Sequence, residues 1–161
     1  MQVKIERGDT SCLKDISKIE EESLENPLTE DKLEQLIYGM GAGILVAKYG
    51  KKTIGYLAYQ EAENEEKEKL FVICSILVRK EYRRKKIATK LVDQLKEISR
   101  NQANVLISEL NLELQLFFKA IGFVAVEIYS EFFGDKHDAY HFIYLKEKDR
   151  KEFQDSLCGE R

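Results

Sequence analysis

Residues 70–95 constrain the fold more than any other stretch of the chain. The run LFVICSILV at 70–78 is apolar and β-branched, with the length of a buried strand. It leads straight into RKEYRRKK, after which Ile87, Leu91, Leu95 and Ile98 recur at helical spacing with Val92 beside them. A strand feeding an amphipathic helix through one short turn calls for an α/β arrangement. Amides at a helix start have no intrahelical partner, and the helix dipole favours an anion there. Small residues let a phosphate approach such amides, and cationic side chains neutralise it. This strand–basic turn–helix unit is therefore a candidate diphosphate cradle. The same basic run also reads as a solvated face, a nuclear-localisation signal or a nucleic-acid patch. A net charge of −3 and the lack of interleaved aromatics argue against nucleic acid as the partner.

The flanking sequence supplies further alternation of strands and helices. Val3 and Ile5 suggest a first strand, and Leu13, Ile16 and Ile19 a helix capped from Gly-Asp-Thr-Ser. Asn26-Pro27 interrupts it. Thr29 can cap a second helix with Leu33, Leu36, Ile37 and Met40 on its buried side. Residues 44–49 and 53–61 read as a hairpin around Gly50, and the acidic stretch after Glu61 as a solvated loop able to attract a basic substrate. Strand 104–109, helix 112–121 closed by Gly122, and strands 123–129 and 139–145 complete the order β-α-α-β-β-β-α-β-α-β-β. The charged segment from Glu147 reads as a tail that frays.

No run approaches the ~18 apolar residues of a membrane span, and the N-terminal residues lack a signal-peptide core. The three cysteines are widely spaced, and His137 and His141 have no metal-ligand company; His137 reads as a loop residue. The expectation is a cytoplasmic protein with no metal and no membrane partner.

The segment from Val78 through Arg83-Arg84-Lys85-Lys86-Ile87-Ala88 to Leu91 resembles the acyl-CoA signature of the GNAT superfamily, Arg/Gln-x-x-Gly-x-Gly/Ala. Asn111 and the run from Phe117 to Gly122-Phe123 fall where that family has their counterparts. A narrower likeness, to RimI-type ribosomal-protein N-terminal acetyltransferases, rests on Ile19-Glu20, Asn26-Pro27-Leu28-Thr29, and Tyr129, Phe132-Phe133 and His137-Asp138-Ala139. The resemblance implies a single-domain α/β GNAT fold over residues 1–146, followed by the tail 147–161. Its sheet would be mixed, mostly antiparallel, with about seven strands, a splayed central pair and flanking helices.

It further implies transfer of an acetyl group from acetyl-CoA to a primary amine by direct attack on the thioester. Ile76, Leu77 and Val78 would meet the pantetheine arm, and the amides from Arg84 through Lys85, Lys86 and Ile87 to Ala88 would hold the pyrophosphate. Asn111 would contact the cofactor near the start of the next helix, and Arg83, Thr89 and Phe118 belong to the same cofactor site. Two departures stand out. Lys86 replaces the family's first glycine, and is expected to be tolerated because the position opens a helix. Phe118 replaces the tyrosine that protonates the departing thiolate, and Leu106 stands where RimI-type enzymes have a strand glutamate. Glu109 is the substitute base, or else a strand-end carboxylate facing water. Tyr129, with Tyr82 and Tyr140 behind it, is the candidate acid, or else a packing or rim residue. A peptide α-amine, with a pKa near ~8, is neutral far more often than a lysine near ~10.4, so a site short of a strong base suits N-terminal amines. The acceptor would be a ribosomal protein or other peptide N-terminus, and the protein a monomer or homodimer. The alternatives are a small-molecule amine acetyltransferase, and a GNAT fold that binds CoA or a partner without turnover.

Overall fold

The computed structural model describes residues 1–100, 102–132 and 137–159. Phe133, one of the paired aromatics, and the last two residues of the tail lie outside the described residues. The chain is α/β, with seven strands and five α-helices among those residues. It divides into two compact units, Met1–Arg100 and Asn101–Arg161.

In the first unit, β1 (Lys4–Arg7), β2 (Ala42–Tyr49), β3 (Lys52–Glu63) and β4 (Lys69–Val78) pair in sequence order, each antiparallel to the next. The expected hairpin is present, with Gly50 in the left-handed region at φ 64°. A Cβ on Gly43 would run into the ring of Tyr59, its cross-strand partner, which would then have to shift. Asp9 caps the entry to a short 3₁₀ turn by accepting from Ser11 N at 2.9 Å, and α1 (Leu13–Ser23) follows. Thr29 caps α2 (Glu30–Tyr38) through Lys32 N at 3.3 Å, as the sequence suggests.

Ile16, Ile19, Leu33 and Ile37 of these helices bury against Ile44, Val46, Tyr56 and Ala58 of the sheet. Strand alternation turns Leu45, Ala47 and Leu57 to the other face. There α3 (Ile87–Ile98) packs on the strands through Ile87, Leu91, Val92 and Leu95. Each such side chain contributes about 1.5–3 kcal/mol on burial. Two expected core positions are corrected. Met40 is 98% exposed, because α2 stops at Tyr38 and Gly39 takes an extended conformation. Ile98, the last residue of α3, is 43% exposed.

In the second unit, β7 (Ala139–Tyr144) lies between β5 (Ala103–Ser108) and β6 (Phe123–Tyr129), antiparallel to both. Asn111 caps α4 (Leu112–Ala120) by accepting from Leu114 N at 3.1 Å, and Gly122 ends it at φ 104°. The charged tail is a correction too. Residues Glu147–Gly159 form α5, with Glu147 and Asp149 in the first turn where the helix dipole favours them.

Candidate functional site

At the carboxyl end of β4 the chain turns sharply. Arg79 donates its amide to Ile54 O at 2.8 Å, and its buried guanidinium places Nη2 3.9 Å from Asp15 Oδ1. A 3₁₀ turn over Lys80–Tyr82 follows. Arg83 then folds back: Nε donates to Val78 O at 2.9 Å and Nη2 to Ser23 Oγ at 3.3 Å. This arginine fastens the turn to the strand end and to the last residue of α1.

Arg84 and Lys86 both take left-handed backbone conformations, at φ 59° and 61°, with Lys85 between them outside that region. Successive amides in such alternating conformations form a concavity that binds anions. Lys86 is the N-cap of α3, and its carbonyl accepts from Lys90 N at 3.0 Å. The amides of Ile87, Ala88 and Thr89 are therefore first-turn donors without intrahelical partners. Arg84, Lys85 and Lys86 are exposed, Ala88 and Thr89 half-buried, and the Ile87 side chain belongs to the core. Lys85 Nζ lies 5.7 Å from the ring centroid of Tyr82, and Lys52 Nζ 5.8 Å from the same ring. The sequence-based expectation for Lys86 is corrected in one respect. It opens the helix, but from the conformation natural to glycine rather than a helical one.

Ile76, Leu77 and Val78 form the end of β4, opposite Leu57, Tyr56 and Gly55 of β3. Ile76 and Leu77 are half-buried and Val78 buried.

A polar group unread in the sequence lies inside this unit. Glu20 is fully buried, accepting from Leu28 N at 3.1 Å and from the hydroxyl of Tyr56, which in turn meets Ser75 Oγ at 2.8 Å. Burial raises its carboxyl pKa above the ordinary value, offset in part by the hydrogen bonds it accepts. Glu20 thus ties the α1–α2 connection to the sheet. One signal was available: it falls four residues after Ile16, on the buried face of α1.

The second unit holds the remaining candidates. Strand β5 ends at Ser108, so Glu109 lies just past the strand rather than on it. Its amide donates to Asp138 O at 2.9 Å, and Gln115 Nε2 donates to the carbonyls of Ser108 and Glu109 at 2.9 and 3.2 Å. Glu109 Oε1 lies 3.3 Å from His137 Nδ1, and both side chains are about one-third exposed. Sequence reading treated His137 as an ordinary loop residue; the fold makes it the partner of Glu109. Asn111 is exposed at the start of α4, with Oδ1 engaged as the cap.

Phe118 departs from expectation. It is fully buried, packed edge-on against Phe117 and Phe123 at 5.1 and 4.9 Å, so its ring presents no surface to a cofactor. Tyr129 donates its hydroxyl to Glu127 Oε2 at 2.9 Å, and that carboxylate raises the phenol pKa. Glu109 and Tyr129 therefore have separate partners, and Tyr129 is held in its protonated form.

Several similarities bear on these features. The model of the Acetyltransferase (GNAT) family matches residues 13–123. No curated protein matches the sequence significantly. Among solved structures, NAA60 of Arabidopsis thaliana in complex with acetyl-CoA superimposes with a TM-score of 0.79 at 16% identity, over 90% of this chain and 100% of that one. The ribosomal-protein-S18-alanine N-acetyltransferase of Escherichia coli gives 0.71 at 16%, over 90% and 96%. Smu.2055 from Streptococcus mutans UA159 gives 0.74 at 23%, over 88% and 98%. These likenesses extend the same fold across nearly the whole chain. With the family match spanning over half of its length, the chain belongs to the GNAT family of acetyl-CoA-dependent acetyltransferases.

Proposed function

We propose that this enzyme transfers acetyl from acetyl-CoA to the α-amino group of a protein or peptide, with residues 1–146 as its catalytic domain. The observation that carries the reading is the run of amides at 84–89, left-handed at Arg84 and Lys86 and opening α3. Four cationic side chains, Arg83, Arg84, Lys85 and Lys86, accompany it. Such a group fits a diphosphate: the amides donate, and Arg84 and Lys86 are exposed to neutralise charge. The backbone of Ile76, Leu77 and Val78 would meet the pantetheine arm, and the Asn111 amide nitrogen the cofactor near α4. Acetyl-CoA supplies an activated thioester; the chain's own residues supply orientation and proton management. Glu109 is the proton acceptor, and Tyr129 is the donor to the departing thiolate.

An α-amine fits best because it loses its proton far more readily than a lysine side chain. The names of the Escherichia coli enzyme and other structural neighbours point the same way. A ribosomal-protein N-terminus in the cytoplasm is the acceptor the RimI-like segments favour.

The test is thiol release from acetyl-CoA with three sets of acceptors: peptides with a free N-terminus, the same peptides N-terminally blocked but containing lysine, and small amines. Release with the first set alone is expected. Inert peptides with active small amines would select a small-molecule acetyltransferase. CoA binding in calorimetry with no release from any acceptor would select a binding protein without turnover, a reading that Lys86 and Phe118 motivate.

A further inference from the structure

We infer that Ser75 orients the attacking amine by accepting a hydrogen bond from it, and that the buried Glu20, acting through Tyr56, turns the Ser75 hydroxyl to do so. The inference rests on the acetyl-transfer reading above, and every residue it uses lies in the first unit. The Tyr56 hydroxyl donates to Glu20 Oε1 and stands 2.8 Å from Ser75 Oγ. Glu20 Oε2 accepts from Leu28 N at 3.1 Å. Glu20 and Tyr56 are fully buried and Ser75 is half-buried, so the chain of contacts starts in the core and ends where a ligand can reach it.

A phenol has a single proton, and that of Tyr56 goes to Glu20. The hydrogen in the Tyr56–Ser75 contact is therefore the one on Ser75. The Glu20 carboxyl draws on the same hydroxyl, which also turns that proton inward. With its proton directed into the core, Ser75 Oγ offers only lone pairs outward and suits an N–H donor.

The place of Ser75 on β4 fits this task. It pairs with Ala58, as Leu77 pairs with Tyr56, on the sheet face that carries α1 and α2. The register shifts beside it: Ile73 faces Tyr59 and Ser75 faces Ala58, which leaves Cys74 as an extra residue on β4. Bulges of this kind re-aim side chains next to active sites. The cofactor's reach agrees. Between phosphate and sulfur the pantetheine arm has the bond count of about four extended residues, or ~14 Å. Laid along β4 from Val78, where the basic turn begins, the arm brings the thioester level with Ser75. An amine that attacks there comes within reach of the hydroxyl. Holding one N–H turns the nitrogen lone pair toward the acetyl carbon, and such orientation lowers the barrier.

The experiment uses the full chain and the best peptide acceptor found above. Ser75→Ala should lower kcat/KM for the peptide about 10-fold, with the KM for acetyl-CoA little changed, and Ser75→Thr should keep most of the rate. In Glu20→Gln the Leu28 amide retains the side-chain oxygen, so the NH₂ group faces Tyr56. Tyr56 then donates to Ser75, whose proton turns outward against the amine, and the loss should again be about 10-fold. Because both changes remove the same contact, the double variant should also lose about 10-fold rather than about 100-fold. Thermal unfolding of each variant reports whether it is folded; if Glu20→Gln does not fold, Ser75→Ala against Ser75→Thr decides. A folded Ser75→Ala variant with kcat/KM within about twofold of wild type would overturn the inference while leaving acetyl transfer intact. Additive losses in the double variant would overturn the link from Glu20 to Ser75. Wild-type protein that binds acetyl-CoA but acetylates nothing would overturn the parent reading and this inference with it.

Discussion

Replacing Lys86 by glycine should make the protein more stable. Lys86 occupies the left-handed region at φ 61° and ψ 23°, where an L-residue with a Cβ is strained by about 1–2 kcal/mol. Glycine removes that strain but costs about 0.5–1 kcal/mol through the freedom it adds to the unfolded chain. The balance favours Lys86→Gly by about 0.5–1 kcal/mol. For a chain of this size, that is roughly 1–4 °C in melting temperature. Lys86→Ala separates backbone from charge, since it keeps the strain and loses the ammonium. Both variants should weaken CoA binding to a similar degree, about 3–10-fold, if the exposed ammonium pairs with the diphosphate. Scanning calorimetry of the three proteins, with titration calorimetry of CoA, reads both effects. A lower melting temperature for Lys86→Gly, or an equal rise in Lys86→Ala, would refute the strain argument.

Glu20 carries a further prediction with a defined sign. Its folded pKa is raised, chiefly by burial, so its contribution to stability is complete below the unfolded carboxylate value and is lost as pH rises through the folded one. Glu20→Gln should flatten that part of the pH–stability curve, measured by urea unfolding; an unchanged curve would count against it. Glu20→Ala leaves the Leu28 amide without its acceptor, at about 1–3 kcal/mol, while the Tyr56 hydroxyl keeps Ser75 Oγ. Gly43→Ala should destabilise the first unit by about 1–3 kcal/mol by displacing the Tyr59 ring, which chemical denaturation would show.

Most of the element order was legible because it is written in local patterns. The β-branched run of β4, the helical spacing in α3 and the caps at Asp9, Thr29 and Gly122 are all short-range signals. What escaped was non-periodic. Spacing places Met40 and Ile98 on apolar faces but does not say where a helix stops. Helix α5 has few apolar residues to mark a buried face, so its charged sequence read as a tail. The basic turn was recognisable from residue types, whereas its two left-handed residues were not, since nothing in Arg or Lys favours that conformation. The pairing of Glu109 with His137 spans 28 positions and exists only because β5 and β7 are neighbours.

Asp138 grips the chain twice, through its carbonyl toward Glu109 and its carboxylate toward Glu131. One residue thus joins the end of β5 to the turn that follows β6, so exchanging its side chain would slacken the second of these places while the main-chain bond kept the first.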